Sequence, residues 1–142
     1  MILDSTHTNK AHKQLIADLV GNQFSLLQSI KMGGIGSNRM MIENVGPNMK
    51  QYVNKVSAIN YANIEMRPGG ILLFINKGLQ TFTWIIPYYQ LVIFKVDGIS
   101  IHAQGRFIHF RNNTSFQENK SFFDKVLEVK VKFDQYYEFQ NL

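Results

Sequence analysis

His102 and His109 are the residues whose type and spacing come nearest to metal chemistry. They flank Gln104-Gly105, a two-residue turn signal, and so belong to adjacent strands of one hairpin. In that register both imidazoles leave the core face and lie diagonal to one another. Diagonal neighbours stand about 7–8 Å apart, close enough to converge on one ion. A metal needs a further ligand. The register offers Lys95 and Ser100, both poor ones, so the pair reads as solvent-side histidines and no metal or cofactor is expected. His7 and His12 fall at i, i+5 near the start of a helix, off a shared face, and read as surface residues.

Nucleophilic and acid–base chemistry find no better support. The chain has no cysteine, which excludes disulfides, thiol catalysis and thiolate-bound zinc. Its carboxylates are few and dispersed: Asp97 belongs to a turn, Asp18 to a helix and Glu65 to a strand, and no pair shares a pocket. No nucleophile elbow of the G-x-S-x-G type occurs. The glycine-rich run 32–38 (MGGIGSN) follows a helix and lacks Lys-Ser or Lys-Thr after its last glycine. A phosphate loop needs the opposite order, so the run is a flexible connector. An enzyme is not expected.

Anion binding is the remaining chemistry. The formal net charge is +5, from 15 Lys and Arg against 10 Asp and Glu. The cations are scattered and form no basic run, which is the pattern of a solubilising surface. Arg106 and Arg111 flank Phe107 and His109 on the outward side of a strand. Basic residues interleaved with aromatics bind single strands by stacking, but a solvated or interface surface has the same pattern more often. Nucleic acid is therefore not the expected partner, while an anionic membrane surface remains an alternative.

These residues must be positioned by a small β-rich domain with flanking helices. Apolar residues recur at helical spacing over 8–31 (Leu15, Ile16, Leu19, Val20, Phe24, Leu27, Ile30), predicting one amphipathic helix capped by Thr6 or Thr8. Residues 39–45 predict a short strand, and 49–59 an early strand of ambiguous periodicity. Ala62, Ile64 and Met66 alternate with polar neighbours as a half-buried strand, ended by Pro68-Gly69-Gly70. A two-residue turn at Lys77-Gly78 sets Ile71, Leu73, Ile75, Phe82, Trp84 and Ile86 on one core face. The other face carries Leu72, Phe74 and Ile85, an apolar strip that calls for cover by a helix or a partner.

Turns at Asp97-Gly98 and Gln104-Gly105 then sort a three-strand meander over 91–111. Two-residue loops at both place Val92, Phe94, Val96, Ile99, Ile101, Ile108 and Phe110 on the core face. Residues 115–118 match a capping box, with 121–124 a rival start, and Phe122, Val126, Val129 and Phe133 form the stripe of a C-terminal helix. The aromatic tail Tyr136, Tyr137 and Phe139 is expected to dock.

The run WIIPYYQLVIF (84–94), followed by ISIHAQGRFIHF and NKSFFDKVLEV, resembles bacterial pleckstrin-homology-like (PH-like) domains over roughly residues 50–133. The resemblance implies an α+β fold of about seven antiparallel strands in a meander or bent barrel, closed at one end by the C-terminal helix. The N-terminal helix is an addition, so the expected organisation is 1–38 as helix and connector and 39–142 as the PH-like domain. The basic loop signature of phosphoinositide-binding members and the tryptophan common in the family's helix are absent.

The expectation is a non-enzymatic binding or scaffold domain for a protein partner or a second copy. Its surface is expected at Leu72, Phe74 and Ile85 or around Arg106, Phe107 and His109. A lipid-headgroup or nucleic-acid binder is one alternative. A small-ligand carrier with the long helix across a curved sheet, as in cystatin-like or NTF2-like folds, is another. Residues 1–10 carry no basic segment followed by an apolar run, and no apolar window approaches a bilayer span, so a soluble cytoplasmic protein is expected.

Overall fold

The computed structural model describes residues 1–54 and 59–140. The elements in order are β1 (Ile2–Asp4), α1 (Lys10–Val20), α2 (Leu26–Lys31), β2 (Met40–Val45), a 3₁₀ turn at Pro47–Tyr52 and β3 (Tyr61–Arg67). They continue as β4 (Gly70–Lys77), β5 (Gln80–Pro87), a 3₁₀ turn at Tyr88–Gln90, β6 (Val92–Phe94) and β7 (Ile99–Ala103). β8 (Arg106–Phe110), α3 (Thr114–Gln117) and α4 (Lys120–Gln140) complete the chain. The fold is α+β, with one open antiparallel sheet in the order β1-β5-β4-β3-β2-β8-β7-β6. It has eight strands where about seven were expected, because β1 adds itself beside β5 through Ile2↔Trp84 and Leu3↔Thr83.

Alternation builds the core. Ala62, Ile64 and Met66 of β3, Ile71, Leu73 and Ile75 of β4, and Trp84 and Ile86 of β5 all point to one face, and all are buried. They merge with Ile99, Ile101, Ile108 and Phe110 and with Phe116, Phe122, Phe123 and Val126 of α3 and α4 into a single apolar cluster. Burying such side chains contributes about 1.5–3 kcal/mol each, and this sum holds the C-terminal helix to the sheet. The sheet is rolled. At the tip of the β7–β8 hairpin, Gln104 accepts from Trp84 Nε1 at 3.1 Å and donates to the Ile85 carbonyl at 3.1 Å. The hairpin thereby reaches β5, far along the strand order.

Several sequence expectations are corrected. The single helix over 8–31 is two helices. Gly21 (φ +88°) ends α1, its N–H closing on the Ala17 carbonyl, and Ser25 restarts the chain with a capping box to Gln28. Asn9, not a threonine, caps α1. Asn113 caps α3 ahead of the expected boxes. The strand expected over 49–59 is not formed at its start: a 3₁₀ turn runs over Pro47–Tyr52, since Pro47 at the first turn favours helical φ, and Val53, Asn54 and Ile59 are not in a strand; residues 55–58 lie outside the described residues.

The connector 32–38 is not a loose link. Met66 N–H donates to Ile35 O at 2.7 Å and Ser37 N–H to Ile64 O at 2.8 Å, so it runs along β3. Asn119, buried, accepts from the Asn38 N–H at 2.9 Å and donates to Ser115 O at 2.7 Å. With β1 in the sheet as well, residues 1–38 belong to the same packed body as the rest. At the other end, α4 runs through Tyr136, which is exposed rather than docked; the docking expected of Tyr137 and Phe139 falls on side chains outside those described.

Two registers differ from those expected, with opposite consequences. In the β4–β5 hairpin the pairs are Lys77↔Gln80, Leu73↔Trp84 and Ile71↔Ile86, so the loop is Gly78-Leu79. Gly78 (φ +58°) takes the first loop position, where a left-handed residue is needed. A shift of two leaves every side chain on its expected face. In the β6–β7 hairpin the pairs are Val92↔His102, Ile93↔Ile101 and Phe94↔Ser100. The loop between the last pair has an odd length, so β6 slips by one residue. Ile93 turns to the core, and Val92, Phe94 and Val96 turn to solvent, 47%, 50% and 72% exposed. The Gln104-Gly105 turn keeps its expected form, with φ +55° and +73°, and pairs Ile101↔Ile108 and Ile99↔Phe110.

Candidate functional site

Helices α3 and α4 cover the inner face, and the outer face divides in two. Over β4 and β5 it is covered. Val20 of α1 packs on Leu72 and Ile85, with Ile16 of α1 and Leu3 of β1 beside them. Leu72 and Ile85 are 1% and 0% exposed, so this strip is shielded within the chain and does not offer the open surface expected of it. The physical cause is the break at Gly21, which turns the chain so that α1 lies against the sheet. Phe74 is half-buried.

Phe74 forms part of the floor of a half-open cleft of about 530 Å³ between α1 and the outer face of β4 and β5. His12 and Lys13 of α1, Asn22 and Arg67 contribute to its walls. Arg67 is engaged, its Nε bonded to Glu65 at 2.8 Å and its Nη1 to Gly21 O at 3.2 Å. His12, expected at the surface, is half-buried, and its Nδ1 is occluded without a hydrogen-bond partner among the described residues.

Over β6, β7 and β8, among the described residues, no helix covers the outer face. The register places Val92, His102 and Phe107 in one row across the three strands, and Phe94, Ser100 and His109 in the next. His102 sits between two rings, Phe94 edge-on at 4.8 Å and Phe107 stacked at 5.2 Å. Burial, and then the nearby His109, hold the His102 imidazole below its ordinary value, which favours the neutral ring. β6 is also the last strand of the sheet, so among the described residues its outward backbone groups have no neighbouring strand. Exposed apolar side chains on a bare face and an open edge therefore coincide. Beside them lies a second cleft of about 380 Å³, between the β6–β7 turn and α3–α4, lined among others by Lys95, Asp97, Phe116, Lys120 and Asp124.

The polar candidates turn out to hold this region together. His109 Nε2 lies 2.9 Å from the Asp97 carbonyl, which can only accept, so this nitrogen donates. Its Nδ1 is 2.5 Å from Ser100 Oγ. A serine hydroxyl against an imidazole is also the geometry of an activated nucleophile. The Nε2 bond to the turn carbonyl orients the ring and leaves Nδ1 to accept from Ser100, and through the two bonds the imidazole staples the β6–β7 turn to β8. Arg106 does not share the outward face with Phe107. It alternates with it and points the other way, donating to Asn48 O at 2.5 Å and lying over the Tyr52 ring at 5.7 Å. Arg111 is paired with Glu43. The arginines suggested for anion binding are thus occupied by intramolecular partners. Among the described residues no three His, Asp or Glu side chains cluster as metal ligands, and no helix is long and apolar enough to cross a membrane.

Of the expected site residues the structure brings Phe107 and His109 into adjacent rows and sets Leu72, Phe74 and Ile85 on the other half of the sheet. Sequence reasoning missed Val92 and Phe94. The run Leu91-Val92-Ile93-Phe94 is apolar on both alternations, so no pattern in it chooses a face. The available signal was the tandem of outward aromatic and imidazole residues at 102 and 107. Comparison with protein-family models, with curated proteins and with solved structures gives no match for this chain.

Proposed function

We propose that this chain is a non-enzymatic, PH-like binding domain of the cytoplasm that takes an extended segment of a protein partner along the free edge of β6. The observation that carries the reading is the coincidence of that edge with the exposed side chains Val92, Phe94 and Val96. Strand addition uses backbone hydrogen bonds for affinity and alternate side-chain pockets for specificity. The edge supplies the first, and the contacting rings Phe94, His102 and Phe107 with the cleft beside α4 supply the second. The PH-like part is supported by the seven-strand ladder from β2 to β8 and by the C-terminal helix packed against its inner face. β6 is only three residues long, which limits pairing in the absence of a partner.

The test is a selection from a displayed library of unstructured peptides, followed by amide-resolved NMR titration of the selected peptide. Shifts and hydrogen-exchange protection are expected at residues 92–96, together with a loss of affinity of at least about tenfold in Phe94→Asp, the usual scale for a truncated interface anchor. Unchanged affinity in Phe94→Asp, in a variant whose thermal unfolding matches wild type, sinks the proposal. A dimer in light scattering that the same substitution dissociates assigns the edge to a second copy of this chain.

A further inference from the structure

Helix α2 is held at both ends and bare in between. Phe24, just ahead of it, and Met32, its C-cap, pack against the core. Between them Leu26, Leu27 and Ile30 are 79%, 63% and 67% exposed. Their spacing of i, i+1 and i+4 places them on one helix face. Ser25 and Gln28 close a reciprocal capping box, which fixes the start of the helix. The fold thus pins this helix and still presents three large aliphatic side chains to solvent. We infer that α2 is an apolar wedge by which the chain sits on the surface of an anionic lipid bilayer.

Shape and charge select this occupant. Neither of the clefts described above is lined by the three side chains, and at these exposures they stand out as a knob rather than a groove. A six-residue helix is about 9 Å long. Three side chains on it fall far short, by themselves, of the roughly 800 Å² per partner that a stable dimer buries. The surroundings are cationic. Residues 19–42 contain no Asp or Glu and include Lys31 and Arg39. Lys31 is exposed on the last turn of α2, next to Ile30. From α4, Lys125 Nζ donates to the Gly33 carbonyl at 3.0 Å, a neutral acceptor that leaves its charge uncompensated. Asp124 and Glu128, the carboxylates beside Lys125 in α4, are paired with Lys95 and Lys132. Glu65, 3.5 Å from Gln23, is paired with Arg67. Neither Lys31 nor Lys125 has an ion pair among the described residues. An interfacial site needs both parts: aliphatic groups that enter the acyl boundary, and cations that stay at the anionic headgroups. This inference does not rest on the β6 reading, since α2 shares no residue with that edge.

The experiment is co-sedimentation of the full chain with vesicles of equal parts phosphatidylglycerol and phosphatidylcholine, and in parallel with vesicles of phosphatidylcholine alone. The chain is expected to pellet with the first at low salt, to bind the second at least about tenfold more weakly, and to be released as salt rises. The double variant Leu27→Gln, Ile30→Gln changes only exposed side chains. It should weaken binding at least about tenfold with the melting point unchanged. Lys31→Glu should weaken it at least about fivefold. The chain has no cysteine, so Leu27→Cys carries a single polarity-sensitive dye, whose emission should shift to the blue on the anionic vesicles. No pelleting at low salt, equal binding to both vesicles, or unchanged binding in the double variant overturns the proposal. Loss of binding through Phe94→Ser in place of the α2 changes moves the contact to β6 and overturns it as well. A dimer in light scattering that the double variant dissociates, with no vesicle binding, assigns α2 to a second copy of this chain instead.

Discussion

Gly70→Ala tests how α1 and the outer face of the sheet are held together. A Cβ at this position would lie 2.3 Å from the Ile86 carbonyl oxygen, 2.6 Å from Val20 Cγ1 and 2.8 Å from Pro87 Cα. The valine can rotate away. The two backbone atoms cannot, because Gly70↔Pro87 and Ile71↔Ile86 are consecutive pairs of the β4–β5 ladder. The oxygen would have to retreat by about 1 Å to reach ordinary contact, which breaks pairing at the point where α1 touches the sheet. Overpacking of this kind costs about 3 kcal/mol when backbone must yield. For a chain of this size that lowers Tm by about 10 °C. Thermal unfolding followed by circular dichroism reads it. Gly36→Ala is the control, since its Cβ would meet only Ile64 O at 3.8 Å, and it should change stability by no more than about 1 kcal/mol. The Gly70 variant should also expose Leu72 and Ile85 and bind more of a hydrophobic dye. A melting point within about 2 °C of wild type would refute the close packing of Val20, Gly70 and Ile86, and with it the shielding of the outer strip.

Two further outcomes are expected. Ile93→Ala should cost about 2 kcal/mol in urea unfolding, because the side chain packs on the core, while exposed Phe94→Ala should stay within about 0.5 kcal/mol; the reverse order would restore the register of a two-residue Asp97-Gly98 turn. Stability should fall on acidification in a way that depends on His102. Its folded pKa is lowered, by burial first and His109 second, so the unfolded chain binds the proton first. The contribution is fully present above the unfolded value of about 6.5 and is lost as pH falls through it toward the folded value. His102→Phe, which keeps the ring contacts, should lose less stability between pH 7.5 and 5.5 than wild type, and an equal loss would remove His102 as the cause.

How much of this was legible in the sequence depended on whether two alternatives differed in polarity. In β3 one alternation is apolar and the other polar, so Ala62, Ile64 and Met66 could only face inward. In β4 both alternations are apolar, yet the correct face was found, because the pairing error of two residues preserves side-chain direction. In β6 both alternations are again apolar, and there the loop length decided. An odd loop reversed the strand and carried Val92 and Phe94 from the core to the proposed site. Arg106 was misplaced for a related reason. As the first residue of its strand, it points its side chain past the end of the core toward a 3₁₀ turn that the pattern at 49–59 did not reveal.

Taken alone, the sequence determined the inventory: a cysteine-free α+β chain, a meander with its turn at Gln104-Gly105 placed to the residue and the β4–β5 turn placed one residue early, and an amphipathic helix after it. These follow from local physics, since periodicity and turn chemistry act within a few residues. Only the tertiary structure decided what covers what. That α1 shields Leu72 and Ile85, that β1 takes one sheet edge and leaves β6 the other, and that His12 is occluded all depend on contacts between residues far apart in the chain. No local pattern encodes such contacts. The open edge at β6 and the cleft under α1 are shaped by those contacts.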